Sequence, residues 1–255
     1  MDVISKLYKF YKDFDGEKGY LGLTEKGKLI PYFKVSKTDF PVVIITYSIH
    51  AREYITTYLA LKQIEDFVVS GRRGTVYFVP MVNIDGVEIS LRENPLYKAN
   101  GNGVDLNVNF DARWGKGKYN IRTPNSENYI GKYPFSESES RALRDFTLLV
   151  NPNVTLSYHS KGEEIYWYFF QDNKRIIRDY KIAKQLKKTT GYKIKTLFDS
   201  TGGYKDWCID SLKIPSFTIE VGNDKLSHPI LEDKLKKIYK QNKKVIKVIV
   251  ESKWI

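Results

Sequence analysis

Residues 41–50, Pro-Val-Val-Ile-Ile-Thr-Tyr-Ser-Ile-His, decide the fold. The run is β-branched and apolar without alternation, so the strand it predicts is buried on both faces, as in a parallel sheet covered by helices. At about half the ~20 residues a membrane crossing needs, it is a core element and not a membrane span. It stops at His50. Residues 53–71 (EYITTYLALKQIEDFVVSG) have helical spacing and close on Gly71. Residues 75–83 (TVYFVPMVN) form a second buried strand that runs into the turn residues Asn83, Asp85 and Gly86. Strand, helix and buried strand in this order predict a parallel crossover.

Upstream, residues 1–14 predict an amphipathic helix and 21–35 a strand pair. Downstream, Leu91 to Tyr133 is a stretch of Asn, Gly, Asp and Arg, too polar for core strands and long enough to be a functional loop. Residues 136–151 then predict a helix, 153–160 a strand ending near His159, 164–171 another strand, and 178–191 a helix closed by Gly191. Residues 214–222 predict a strand carrying Glu220, and the lysine-rich 233–250 a final helix. The expected fold is α/β, one domain over residues 1–255, with a mixed, mostly parallel sheet and helices on both faces. Sites in such sheets form at the carboxyl ends of strands, where His50, His159 and Glu220 all fall.

Composition narrows the function. With 42% apolar and 14% aromatic residues, the 255-residue chain can bury a sizeable core. A single cysteine, Cys208, excludes an intramolecular disulfide framework and a thiolate metal site. The N-terminal segment lacks the apolar stretch of a secretory signal, so a cytoplasmic location is expected, without membrane association. The formal charge of +12 comes from scattered lysines, densest along the last helix. That pattern describes a solvated surface better than a nucleic-acid groove, which would interleave cations with stacking aromatics.

His50 and Glu53 form an H-x-x-E pair whose side chains a tight bend would bring together. Alone it is a weak signal. Two histidines and one glutamate are a known catalytic zinc set with a fourth position left for water. Of the remaining histidines, His159 at a strand end suits the third ligand better than His228 in a polar turn. Glu220 puts an acid inside an otherwise apolar strand, where burial of an unpaired charge is costly. A carboxylate there could take a proton from water and deliver it to a leaving amine.

The segments IHAREY, NIDGVEI, GVDLNVNFDARWG, LSYHSKGE and GGYKDWCID…IPSFTIEVG resemble, in order and spacing, the successive motifs of the M14 zinc carboxypeptidases. The resemblance implies one zinc ion held by His50, Glu53 and His159, with Glu220 as general base. It also implies that Asp105 orients His50. Arg52 and Asn107 would bind substrate, and Lys98 would place positive charge near a developing oxyanion. Two positions depart from the family pattern. The arginine that binds a terminal carboxylate is Val108 here, and Arg113 in the same loop is the candidate replacement. Near the D-W dipeptide a substrate tyrosine is expected; position 209 is isoleucine, leaving Tyr204 as its candidate. These departures, with GYKDW, YHSKGE and EIYW, are similar to the γ-D-glutamyl-L-diamino acid (meso-diaminopimelate) endopeptidase branch. The resemblance thus implies a muropeptide substrate, with an ordinary carboxypeptidase as the alternative.

Overall fold

The protein is described here by a computed structural model that covers residues 1–255. Its centre is β3 (Val42–Tyr47), the strand read from the opening run. Val43, Ile44, Ile45 and Tyr47 are all fully buried, and each such side chain stabilises the fold by about 1.5–3 kcal/mol. Flanking it are β4 (Thr75–Val79) and β5 (Val154–Ser160), both parallel to it. The whole sheet has eight strands in the order β1-β2-β4-β3-β5-β8-β6-β7. The others are β1 (Glu17–Leu23), β2 (Leu29–Ser36), β6 (Glu164–Tyr166), β7 (Lys193–Lys195) and β8 (Ser216–Val221). The strand-pair expectation holds: β1 and β2 are antiparallel at one edge.

Chain order explains where a site can form. From β3 the chain crosses to β4 on one side, through α2 (Ile55–Val69), and later returns to β5 on the other. The crevice at the carboxyl ends of β3 and β5 is therefore a topological switch point, where connections diverge and leave room for a ligand. Next to β5 runs β8, also parallel, with His159 directly opposite Glu220. Partners in a parallel pair point to the same face.

That face differs from the opposite one. On one side, Tyr47 and Tyr158 stack with ring centroids 5.0 Å apart and hydrogen-bond Gln63 of α2. On the other, buried hydroxyls pair along the strands, Thr46 with Ser157 at 3.0 Å and Thr155 with Ser216 at 2.6 Å. These pairs satisfy polar groups that would otherwise be stranded in the core, and they lead towards His159 and Glu220.

Several local readings change. The turn at Asn83 is a helix start: its side chain accepts from the Gly86 N–H and opens α3 (Ile84–Arg92). The 164–171 strand stops at Tyr166, because the chain turns where Phe170 adopts φ 51° and Gln171 caps the Phe169 N–H. A helix not expected, α6 (Tyr204–Asp210), begins at the Gly-Gly pair. The final helix is two, α7 (Leu235–Asn242) and α8 (Val245–Val250), parted at Lys243 and Lys244. The helix α4 (Ser138–Val150) forms as expected, whereas α5 (Asn173–Thr190) begins five residues before the expected start, where the Asp172 side chain accepts from the Arg175 N–H. Apolar side chains from both faces make one cluster of 50 buried residues, consistent with a single core. No helix is long and apolar enough to cross a membrane.

The long loop after α3 is anchored at the start of α4, where Glu137 and Glu139 accept from Asn100. Burial outweighs hydrogen bonding at Glu139 and pushes its carboxyl up to about 7 from 4.5. The folded protein thus holds a proton that the unfolded chain has already released. The penalty is absent below the unfolded value and complete above the folded one. Glu139→Gln removes this pH dependence: relative to the unaltered protein, its unfolding free energy is expected to rise by about 2 kcal/mol between pH 5 and pH 8, measured by urea titration.

Candidate metal centre

The chain reaches the switch point through a strained turn. Ser48, just past β3, has φ 46°, a left-handed conformation that a non-glycine residue holds only when its surroundings insist. Here the hydroxyls of Thr56 and Thr57 grip the Ser48 side chain at 2.9 and 2.8 Å. The turn delivers His50 to the head of a short 3-10 helix, Ala51–Glu53, which swings Glu53 back beside it.

Three side chains from two segments then converge. His50 Nδ1 lies 2.9 Å from one Glu53 oxygen, His159 Nδ1 3.0 Å from the other, and the two Nδ1 atoms are 3.2 Å apart. All three residues are buried. The far nitrogens face outward, His159 Nε2 to the Ser157 hydroxyl at 3.3 Å and His50 Nε2 to Asp105 Oδ1 at 3.2 Å. With the ring protons on those outer nitrogens, two imidazole lone pairs and a carboxylate face one another, with only the Ser160 N–H, 3.2 Å from a Glu53 oxygen, donating into the set. Such a set calls for a cation. For zinc bonded at about 2.0–2.1 Å, tetrahedral geometry puts neighbouring donor atoms about 3.3 Å apart, close to the spacing seen. The donor set fits one zinc ion.

The site is electronegative. Burial favours the neutral His50 ring, but the charges of Glu53 and Asp105 overcome it and hold the imidazole up at about 9. Burial and the nearby Glu53 charge push the Glu220 carboxyl well above the ordinary range, so it readily holds a proton.

Around this centre the other expected residues take varied positions. Asp105, nearly fully buried, receives Lys98 Nζ at 2.7 Å on its second oxygen. Lys98 is therefore held by Asp105 and by the Asn128 side chain. Arg52 donates to the Leu96 carbonyl at 3.1 Å and to Glu127 at 2.8 Å. Asn107 lines a recess of about 80 Å³ that Glu220 also lines, with Tyr166, Thr218, Lys205 and Asp206.

Two expectations are corrected. Tyr204 is fully buried, its hydroxyl bonded to that of Thr147 at 2.9 Å, because the first turn of α6 aims it into the core. It cannot meet a substrate. Arg113 does not line the recess; its guanidinium stacks on the exposed face of Phe170, 3.5 Å from the ring centroid. The cation that does line it is Lys205, which sequence reasoning missed. Lys205 is mostly buried, paired with Asp206 and bonded to the Tyr168 carbonyl at 3.1 Å. Only its place in G-G-Y-K-D-W, next to an expected substrate residue, hinted at it.

Known proteins are similar to this chain in sequence and in fold. The chain is 30% identical over 221 residues to the γ-D-glutamyl-L-diamino acid endopeptidase 1 of Lysinibacillus sphaericus, covering 72% of this chain and 55% of that protein. It is 29% identical over 237 residues to Bos taurus carboxypeptidase B, covering 79% and 56%. The chain thus spans just over half the length of these relatives. In fold it is similar to bovine thrombin-activatable fibrinolysis inhibitor, with TM-score 0.83 at 23% identity over 97% of this chain and 93% of that one. Murein-tripeptide amidase MpaA of Escherichia coli O157 superposes with TM-score 0.71 at 21% identity, covering 94% of each chain. The peptidase M14 signature, described as zinc carboxypeptidase, matches residues 17–245, and the chain belongs to that family.

Proposed function

We propose that the protein is a zinc peptidase that hydrolyses the amide bond between a γ-D-glutamyl residue and a diamino acid in peptidoglycan-derived peptides. The observation that carries the choice of substrate is the charge of the recess beside Glu220. Its lining includes no arginine, since Val108 is buried apolar packing, and its cation, Lys205, is paired with Asp206. An ordinary C-terminal residue offers one carboxylate and would favour an unpaired guanidinium. A paired cation and anion instead suit a leaving residue that carries both ammonium and carboxylate groups, as diaminopimelate does. The Lysinibacillus sphaericus relative, by its name, acts on such a bond.

In this reading His50, Glu53 and His159 hold the metal, which supplies a Lewis acid that acidifies water and polarises the scissile carbonyl. Glu220 takes the proton from the attacking water and returns it to the departing amine, a task suited to a carboxyl whose affinity for protons is raised. Asp105 fixes the His50 ring. Lys98, held at the same rim, contributes positive charge where the carbonyl oxygen becomes negative. Arg52 and Asn107 line the approaches.

Incubation of the zinc-loaded protein with L-Ala-γ-D-Glu-meso-diaminopimelate is expected to release free diaminopimelate, detected by mass spectrometry. Removal of C-terminal residues from plain peptides with the γ-linked peptide left intact would make the protein an ordinary carboxypeptidase.

A further inference from the structure

The two imidazoles at the metal centre are held from behind in different ways. The outer nitrogen of His50 meets a carboxylate, Asp105 Oδ1 at 3.2 Å, and Lys98 pairs with the second oxygen of that carboxylate. The outer nitrogen of His159 meets a neutral group instead, the Ser157 hydroxyl at 3.3 Å. The strand itself makes this contact. Side chains two residues apart on a strand share a face, so Ser157 and His159 point the same way along β5. Parallel pairing with β3 sets Thr46 opposite Ser157 on that face. Both residues are buried, their hydroxyls are 3.0 Å apart, and Thr46 Oγ1 lies 3.5 Å from the Leu156 carbonyl oxygen.

A neutral imidazole that offers its Nδ1 lone pair to a metal carries its proton on Nε2. That N–H donates to Ser157 Oγ, Ser157 donates to Thr46 Oγ1, and Thr46 donates to the Leu156 carbonyl. The chain of donors ends on the backbone, with every proton used. Without the Ser157 hydroxyl the proton has another place to go: on Nδ1 it is accepted by Glu53, whose oxygen lies 3.0 Å away. That arrangement spends the lone pair the metal needs. Keeping the lone pair instead leaves a buried N–H without an acceptor, which is costly. Either way the loss falls on the metal-bound form.

We propose that Ser157, backed by Thr46, is a positioning residue for the metal: its hydroxyl accepts the Nε2–H of His159 and keeps the other ring nitrogen free for zinc. The role follows from the donor set and the strand register, and it is independent of the substrate proposed above. The sheet supplies its own control. Thr155 and Ser216, further back on the same face, form the same kind of hydroxyl pair at 2.6 Å, fully buried, and are bonded to each other and not to a metal ligand.

Zinc affinity, measured by competition with a chromophoric chelator, tests this without turnover. Ser157→Ala is expected to weaken zinc about twentyfold, within the range that partners of metal-binding histidines contribute. Ser157→Thr keeps the hydroxyl and should stay within about threefold of the unaltered protein. Ser216→Ala removes an equivalent buried hydroxyl and should lower the unfolding temperature of the metal-free protein as Ser157→Ala does, yet leave zinc affinity within about twofold. In zinc-loaded protein with isotope-labelled histidine, the Nε2–H resonance of His159 should be protected from solvent exchange, and it should lose that protection in Ser157→Ala alone. Should Ser157→Ala fail to fold, Thr46→Val, close in shape, carries the same readout with an expected weakening of about fivefold, because Ser157 then has no acceptor for its own proton. Zinc bound by the Ser157→Ala variant within about twofold of the unaltered affinity overturns the role. So does an equal loss of zinc affinity in Ser216→Ala, which would make the effect one of general stability.

Discussion

Glu220→Gln is expected to lower kcat by roughly a thousandfold, in the middle of the range that positioned acid–base groups contribute, while zinc content stays at one ion per chain. Glutamine matches glutamate in shape and can still accept a hydrogen bond, but it cannot take a proton from water or hand one to an amine. The fold should tolerate the change. Glutamine keeps the size and polarity of the side chain, so the unfolding temperature of the zinc-loaded protein should change little. Stopped assays on the γ-linked peptide, paired with metal analysis, provide the check. A variant that keeps more than about a tenth of the activity would remove Glu220 from the proton-transfer role.

His159→Ala addresses the metal itself. If zinc binding is worth about 10–16 kcal/mol, as in structural zinc sites, each of three protein ligands supplies about 3–5 kcal/mol, so loss of one should weaken zinc roughly a thousandfold. Competition with a chromophoric chelator measures this directly. Chelation of the unaltered protein should abolish hydrolysis and lower its unfolding temperature. In the His159→Ala variant the same chelator should leave the unfolding temperature unchanged. His228→Gln is the control, because His228 lies outside the converging set; zinc affinity near the unaltered value is expected. If His159→Ala bound zinc as tightly as the unaltered protein, the chelating set would have to be redrawn.

How much of this the sequence revealed depended on the scale of the signal. The opening run and its relatives at 75–83, 153–160 and 214–222 were readable because strands buried on both faces are rich in β-branched and aromatic residues and carry almost no charge. Their order alone places His50, His159 and Glu220 at strand ends on one rim. The start of α3 was hidden because Asn83 caps a helix with the same residue type that makes turns. Tyr204 misled for another reason: Gly202, with φ 87° and the Val108 carbonyl where a side chain would begin, sets the entry to α6, and that entry turns Tyr204 inward. Position in a motif does not disclose the direction a side chain takes. Lys205 was hard to read as a site residue because its place in the recess depends on the Tyr168 carbonyl, 37 residues away in sequence, and on Asn107, farther still.

The bonding of β5 to β8 has a practical side. Strands in a sheet sit about 4.8 Å apart, so the separation of His159 from Glu220 is set by backbone hydrogen bonds across a pair of parallel strands. Part of the recess lining hangs from loops instead: Asn107 from the polar stretch after α3, and Ser200 and Gly203 from the lead into α6. A protein engineer could therefore exchange those loops to redirect the enzyme to new linkages, because the spacing that drives hydrolysis is stored elsewhere and would survive the graft.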